Sequence, residues 1–116
     1  MKLEKLFAMP FASIYLAYTR KVERKGRTTQ ELDEVIRWLT GYSAEGLAEQ
    51  LALNKDITSF FGEAPALHPN ADKVTGLICG VRVEQVEDPL MRKVRILDKL
   101  VDELANGRAM AKILRA

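Results

Sequence analysis

Apolar residues recur at helical spacing along most of this chain, and the pattern is clearest near its end. Leu90, Val94, Leu97, Val101 and Leu104 follow one another at intervals of four, three, four and three. That spacing lines them up along one face of a helix. The ends are marked as well. Asp88 can accept from the free amides of the first turn, Pro89 fits the first helical position, and Asn106-Gly107 supplies the left-handed residue that closes a helix. Leu97 lies mid-seam and is expected in the core or at a helix interface. Asp98, one position along, is expected to face water, so that Asp98→Ala would change stability by no more than roughly 0.5 kcal/mol.

The same periodicity predicts further helices upstream. After a short N-terminal arm, one begins near Pro10 or Ser13 and runs to Lys25, with Phe11, Ile14, Tyr15, Tyr18 and Val22 on its apolar face and Gly26 as its stop. A second opens on Thr28-Thr29-Gln30-Glu31, a capping box, and carries Leu32, Val35, Ile36 and Leu39 up to Gly41. Ser43 caps a third with Ala44, Leu47, Ala48 and Leu51. Asp56 caps a short fourth with Ile57, Phe60, Phe61 and Ala64. Residues 64–70, with Pro65 and Pro69, form a loop, because each proline disfavours helix at the residue before it. A short final helix carries Met110, Ile113 and Leu114. Trp38, Tyr42, Phe60 and Phe61 are read as core rather than as the lining of a ligand pocket.

Residues 74–86 fit two patterns. Val74, Leu77, Ile78 and Val81 suit a helix, whereas Val81 and Val83 suit a strand, and Gly76 and Gly80 weaken both. Helix is favoured, since a lone strand among helices has nothing to pair with. On that reading the two glycines allow another helix to approach closely, and Cys79 is a small buried hydrophobe. The expectation is an all-α single domain over 1–116 with six or seven helices; the alternative is α+β with strands in 74–86.

Composition narrows the class without naming a chemistry. The chain is 116 residues long, 47% hydrophobic and 29% charged, with a net charge of +2, an ordinary globular balance. The distribution is uneven. Residues 1–27 hold seven basic and two acidic side chains, a net of +5; residues 28–72 hold two and eight, a net of −6; residues 73–116 hold nine and six, a net of +3. The single cysteine rules out an intrachain disulfide and suits a reducing compartment. The uncharged run from Leu6 to Thr19 is too short to span a bilayer, and Glu4 interrupts a basic start. A cytoplasmic protein without membrane association is expected.

Three features attract a functional reading. Arg20, Lys21, Arg24, Lys25 and Arg27 are a candidate anion or nucleic-acid site, because clustered cations neutralise phosphates. They also fall where cations complement a helix C-terminus, with Glu31, Asp33 and Glu34 at the start of the next helix. A helix-turn-helix reading fails on Ala44 to Leu53, which carries Glu45 and Glu49 and no cation. Cys79, with Arg82 one helical turn away and His68 as the one available base, is a weak catalytic candidate. His68, between two prolines, is expected to be exposed. One His and one Cys do not make an ordinary structural zinc site, so no metal and no cofactor are expected.

Four stretches carry a resemblance: Val22-Glu23-Arg24-Lys25-Gly26-Arg27-Thr28, Trp38-Leu39-Thr40-Gly41-Tyr42, Ile78-Cys79-Gly80-Val81-Arg82-Val83-Glu84, and Glu87-Asp88-Pro89-Leu90-Met91 with Leu97 through Leu104. Together they resemble a small bacterial family known as the domain of unknown function numbered twenty-two hundred. The resemblance spans nearly the whole chain. It implies a compact bacterial protein and brings no activity, cofactor or catalytic residue with it. Where that family has a proline after the first tyrosine of the first helix, this chain has Leu16.

The functional expectation is a self-associating helical interaction module without catalytic activity. Met91, Ile96 and Leu100 flank the Leu90–Leu104 seam, giving a face wider than one partner helix needs. The alternation of charged segments favours contacts between copies. Nucleic acid is an unfavoured partner, and the residues specify no small-molecule ligand. The alternatives are anion or nucleic-acid binding through residues 20–27 and a Cys79-dependent enzyme.

Overall fold

The computed structural model describes residues 3–115, and its longest element is the helix just read, Pro89–Ala105 (α6). Asp88 accepts from the Met91 amide at 2.8 Å, Pro89 opens the helix, and Gly107 adopts φ 87° beyond its end. Seventeen residues give about 25 Å of helix at the usual rise, in a molecule measuring 31 × 31 × 27 Å. Val94, Ile96, Leu97, Leu100, Val101, Leu104 and Ala105 are all buried. Helices from both halves of the chain and a small hairpin pack around them. The breadth of this apolar face is therefore taken up inside the chain, which removes it as a reason to expect self-association.

The other helices are α1 (Leu3–Phe7), α2 (Phe11–Arg24), α3 (Thr29–Thr40), α4 (Ala44–Ala52), α5 (Ile57–Gly62) and α7 (Met110–Ile113), of which α2, α3, α5 and α7 pack on α6. The expected caps form. Thr28 and Glu31 bond reciprocally at α3, Ser43 accepts from the Gly46 amide at α4, and Asp56 accepts from the Ser59 amide at α5. The Phe11 and Phe60 rings stack at 3.7 Å in the core. The N-terminal arm is a correction: it contains α1, whose five residues are too few for a periodic signal. Pro10 then bridges to Asp56 in extended pairing before α2 begins. Ala64 is a smaller correction, lying beyond the end of α5.

Residues 74–86 are not a helix. Leu77–Ile78 (β1) and Val81–Arg82 (β2) form an antiparallel hairpin, with Leu77 opposite Arg82 and Ile78 opposite Val81. A single-turn 3-10 helix, Val83–Gln85, follows. The objection to a lone strand is met because the strand pairs with its own continuation. Cys79 and Gly80 are the two turn residues, at φ 51° and 76°, the doubly positive geometry that matches strand twist in a two-residue hairpin. Gly80 thus makes a turn rather than a helix contact, and Cys79 is exposed instead of buried. Among the described residues the architecture remains all-α with this one small hairpin, which docks onto α6 through Ile78, followed by Val83 of the 3-10 turn.

Carboxylates along α6 tie the other helices to it. Asp98 accepts a short hydrogen bond from the hydroxyl of Tyr18, whose side chain is buried. One turn on, Asp102 pairs with Lys21 at 3.1 Å. Glu103, only 6% exposed, takes Arg108 at 3.0 Å and a two-pronged contact from Arg115 at 2.8 Å. The expectation that Asp98 faces open water is therefore wrong: it caps a buried phenol.

Leu97→Ala should cost about 2–5 kcal/mol in urea unfolding through lost burial and the cavity left behind. Asp98→Ala should cost about 1–3 kcal/mol, because it strands the Tyr18 hydroxyl without its acceptor. Tyr18→Phe removes that hydroxyl, so the double variant should lose less than the two single losses combined. Strict additivity would mean that the Tyr18–Asp98 bond does not form in solution.

Candidate functional site

The outer side of α3 is built by the same arithmetic as its core side. Leu32, Val35, Ile36 and Leu39 point inward, which leaves Gln30, Glu34 and Arg37 at spacings of four and three along the opposite ridge. Only Gly41, Tyr42 and Ser43 separate α3 from α4. The two helices, with the edge of α2, line a trough of about 570 Å³. Leu47 and Leu51 form its apolar floor, with Ala44 and Ala48 on the α4 side. Asp33 and Glu34 form an acidic wall, and Arg37 stands at the end nearest the turn.

Hydrogen bonds fix the walls. Tyr15 of α2 donates to Asp33 at 2.7 Å. Burial, followed by the bond to Asp33 and the charge of Asp33, pushes the Tyr15 hydroxyl up to about 12, so it remains a donor. Arg37 donates through Nε to the Tyr42 carbonyl oxygen at 3.2 Å, and the Tyr42 hydroxyl donates to the Phe60 carbonyl oxygen at 2.6 Å. Burial, with the charge of Glu63 behind it, raises Tyr42 to about 12 as well. Gly41 holds the bend at φ 80°, and a Cβ there would lie 2.8 Å from the Ala66 carbonyl oxygen. Beyond Arg37 a shallower cavity is lined by Trp38, Tyr42 and Leu114. Trp38 is half-buried and stacks on His68 at 4.1 Å, which corrects the expectation of an exposed histidine.

The basic cluster is divided by the fold. Lys21 is committed to Asp102, while Arg27 grips Glu31 and also donates to the Arg108 carbonyl oxygen. Arg20, Arg24 and Lys25 are exposed, with no carboxylate partner among the described residues. Cys79, Arg82 and His68 do not assemble. Cys79 sits at the hairpin tip and Arg82 lies on β2 rather than one helical turn away. His68 stacks on Trp38, and its Nδ1 accepts from the Asn70 amide. Among the described residues no group of three or more His, Cys, Asp or Glu is placed to hold a metal ion, and no helix is long and apolar enough to cross a membrane.

The trough was not anticipated from the sequence, where Asp33 and Glu34 served only to complement the α3 dipole. A signal was present in the polar stripe Gln30-Glu34-Arg37, which is as regular as the apolar stripe behind it.

A family model described as "Uncharacterized protein conserved in bacteria (DUF2200)" matches residues 5–115, and the chain belongs to that family. Its fold is similar to that in "Crystal structure of uncharacterized protein SP1917", with a TM-score of 0.91 and 44% identity over 98% of this chain and 93% of that one. No curated protein matches.

Two measurements check this geometry. All three tyrosines are held above their ordinary value of 10.0; Tyr18 lies well above it through burial, then the charge of and bond to Asp98. Below pH 10 their protons are kept in both states. Between pH 10 and about 12 the unfolded chain ionises first, so folded stability should fall across that window. Tyrosinate absorbance should rise together with loss of the helical circular dichroism signal; an earlier rise would place the phenols in open solvent. Separately, maleimide should label Cys79 fully in the native protein, and labelling only after denaturation would contradict the exposed turn.

Proposed function

We propose that this protein acts by binding a helical segment of a protein partner in the α3–α4 trough. The observation that carries this reading is an apolar floor, Leu51 with the exposed Ala44 and Ala48 over the buried Leu47, beside an acidic wall, Asp33 and Glu34, with a cation, Arg37, at one end. A helix laid in such a trough buries its apolar face on the floor and aligns its charges with the walls, a common mode of peptide recognition. The complementary segment is amphipathic and basic, with an acidic residue near the Arg37 end. Charge pairs at such a rim discriminate between partners and speed encounter, while the floor supplies the apolar burial.

A synthetic basic amphipathic helix, titrated into isotope-labelled protein, should shift amide signals within 30–37 and 44–51 and change the fluorescence of Trp38, the one tryptophan. Glu34→Arg should weaken binding at least about tenfold, and an acidic peptide of the same pattern should not bind. Shifts confined to another surface, or none at millimolar peptide, would refute the trough as a binding site.

A further inference from the structure

We infer that the helix received by the trough is α2 of a second copy of this chain, making the protein a twofold dimer; this rests on the binding role given to the trough above. Phe11, Tyr18 and Val22 turn inward from α2, so its opposite face presents Leu16, Arg20, Glu23 and Arg24. Leu16 is 50% exposed, an apolar side chain left uncovered in the middle of a helix. Arg20 and Arg24, like Lys25, have no carboxylate partner among the described residues, whereas their neighbours Lys21 and Arg27 are paired. On α3, Glu34 has no cation among the described residues, and Arg37 spends only its Nε, on a carbonyl oxygen.

The two stripes match in spacing and in kind. Residues 16, 20 and 23 of α2 and residues 30, 34 and 37 of α3 share intervals of four and three, each covering about 10 Å of helix. In that register Leu16 lies at the Gln30 end, above the part-buried Leu51. Arg20 then faces Glu34, Glu23 faces Arg37, and Arg24 reaches the half-buried Trp38, where a guanidinium gains from the ring face. The two central pairs, Arg20 with Glu34 and Glu23 with Arg37, are opposite in sign.

The register requires α2 of one copy to run parallel to α3 of the other. Four residues, 25–28, join α2 to α3, and so short a link makes consecutive helices run in opposite directions. A twofold axis perpendicular to the helices reverses the second copy and sets its α2 parallel to the first copy's α3. The same operation sets the first copy's α2 on the second copy's trough, so the contact is reciprocal and closed.

Sedimentation of the full chain should report a dimer at high micromolar concentration that weakens as salt is added. Arg20→Glu alone places two carboxylates opposite each other at both ends of the twofold, and Glu34→Arg alone places two cations there. Each variant should raise the dimer dissociation constant at least about tenfold, with unchanged circular dichroism. Mixing the two variants pairs opposite charges at both contacts and should restore the dimer, as should both substitutions in one chain. A monomeric wild type, or swaps that leave the dimer unaffected, overturns the inference. If such a monomer still takes the basic peptide in its trough, the binding reading survives and the occupant is another protein.

Discussion

The structure depends on the burial of one wide helical face. A seventeen-residue helix with seven buried apolar positions from Val94 to Ala105 has too broad a face for a single neighbour. The chain meets this demand by bringing α2, α3, α5, α7 and the hairpin to it in turn. At roughly 25 cal/mol per Å² of apolar surface removed from water, that arrangement is where the folding drive is concentrated. Elements too short to be stable alone, such as the two-residue strands and the four-residue α7, persist because α6 offers them a surface.

Burial fixes which elements gather, and the carboxylates of α6 fix how they are turned. Tyr18–Asp98 and Lys21–Asp102 are spaced by about one helical turn on both helices. Two such ties prevent α2 from rolling about its own axis. They thereby decide that Leu16, Arg20 and Glu23 face outward and that Tyr15 reaches sideways to Asp33. The outer chemistry of α2 is thus set from the inside. Glu103, holding two arginines, secures the segment after α6 in the same way.

Much of this was legible in the residues. Helix starts could be read because their signals are local: Thr28 with Glu31, Ser43, Asp56, and Asp88 with Pro89 each satisfy amides within their own first turn. Family membership was legible too, through four short stretches spread over the chain. What escaped depends on contacts distant in sequence or on backbone angles. Ile78-Cys79-Gly80-Val81 has the hydrophobicity of a helix segment, and the positive φ angles of Cys79 and Gly80 make it a hairpin. Asp98 follows Leu97 in a seam that predicts exposure, yet a phenol eighty residues away claims it. The trough escaped because a site made of two helix sides has no contiguous motif.

Gly41 has a consequence for the trough that it does not itself line. The loop bearing Ala66 crosses directly over it, the Ala66 and His68 amides donate to the Thr40 and Leu39 carbonyl oxygens, and there is no room for even a methyl group. The bend between α3 and α4 is therefore locked from behind, and the width of the trough is set before any partner arrives. A preorganised receptor loses little conformational entropy on binding. On the binding role proposed for the trough, selection would fall on the girth and charge sequence of the incoming helix, and complex formation would be governed by encounter rather than by rearrangement of this protein.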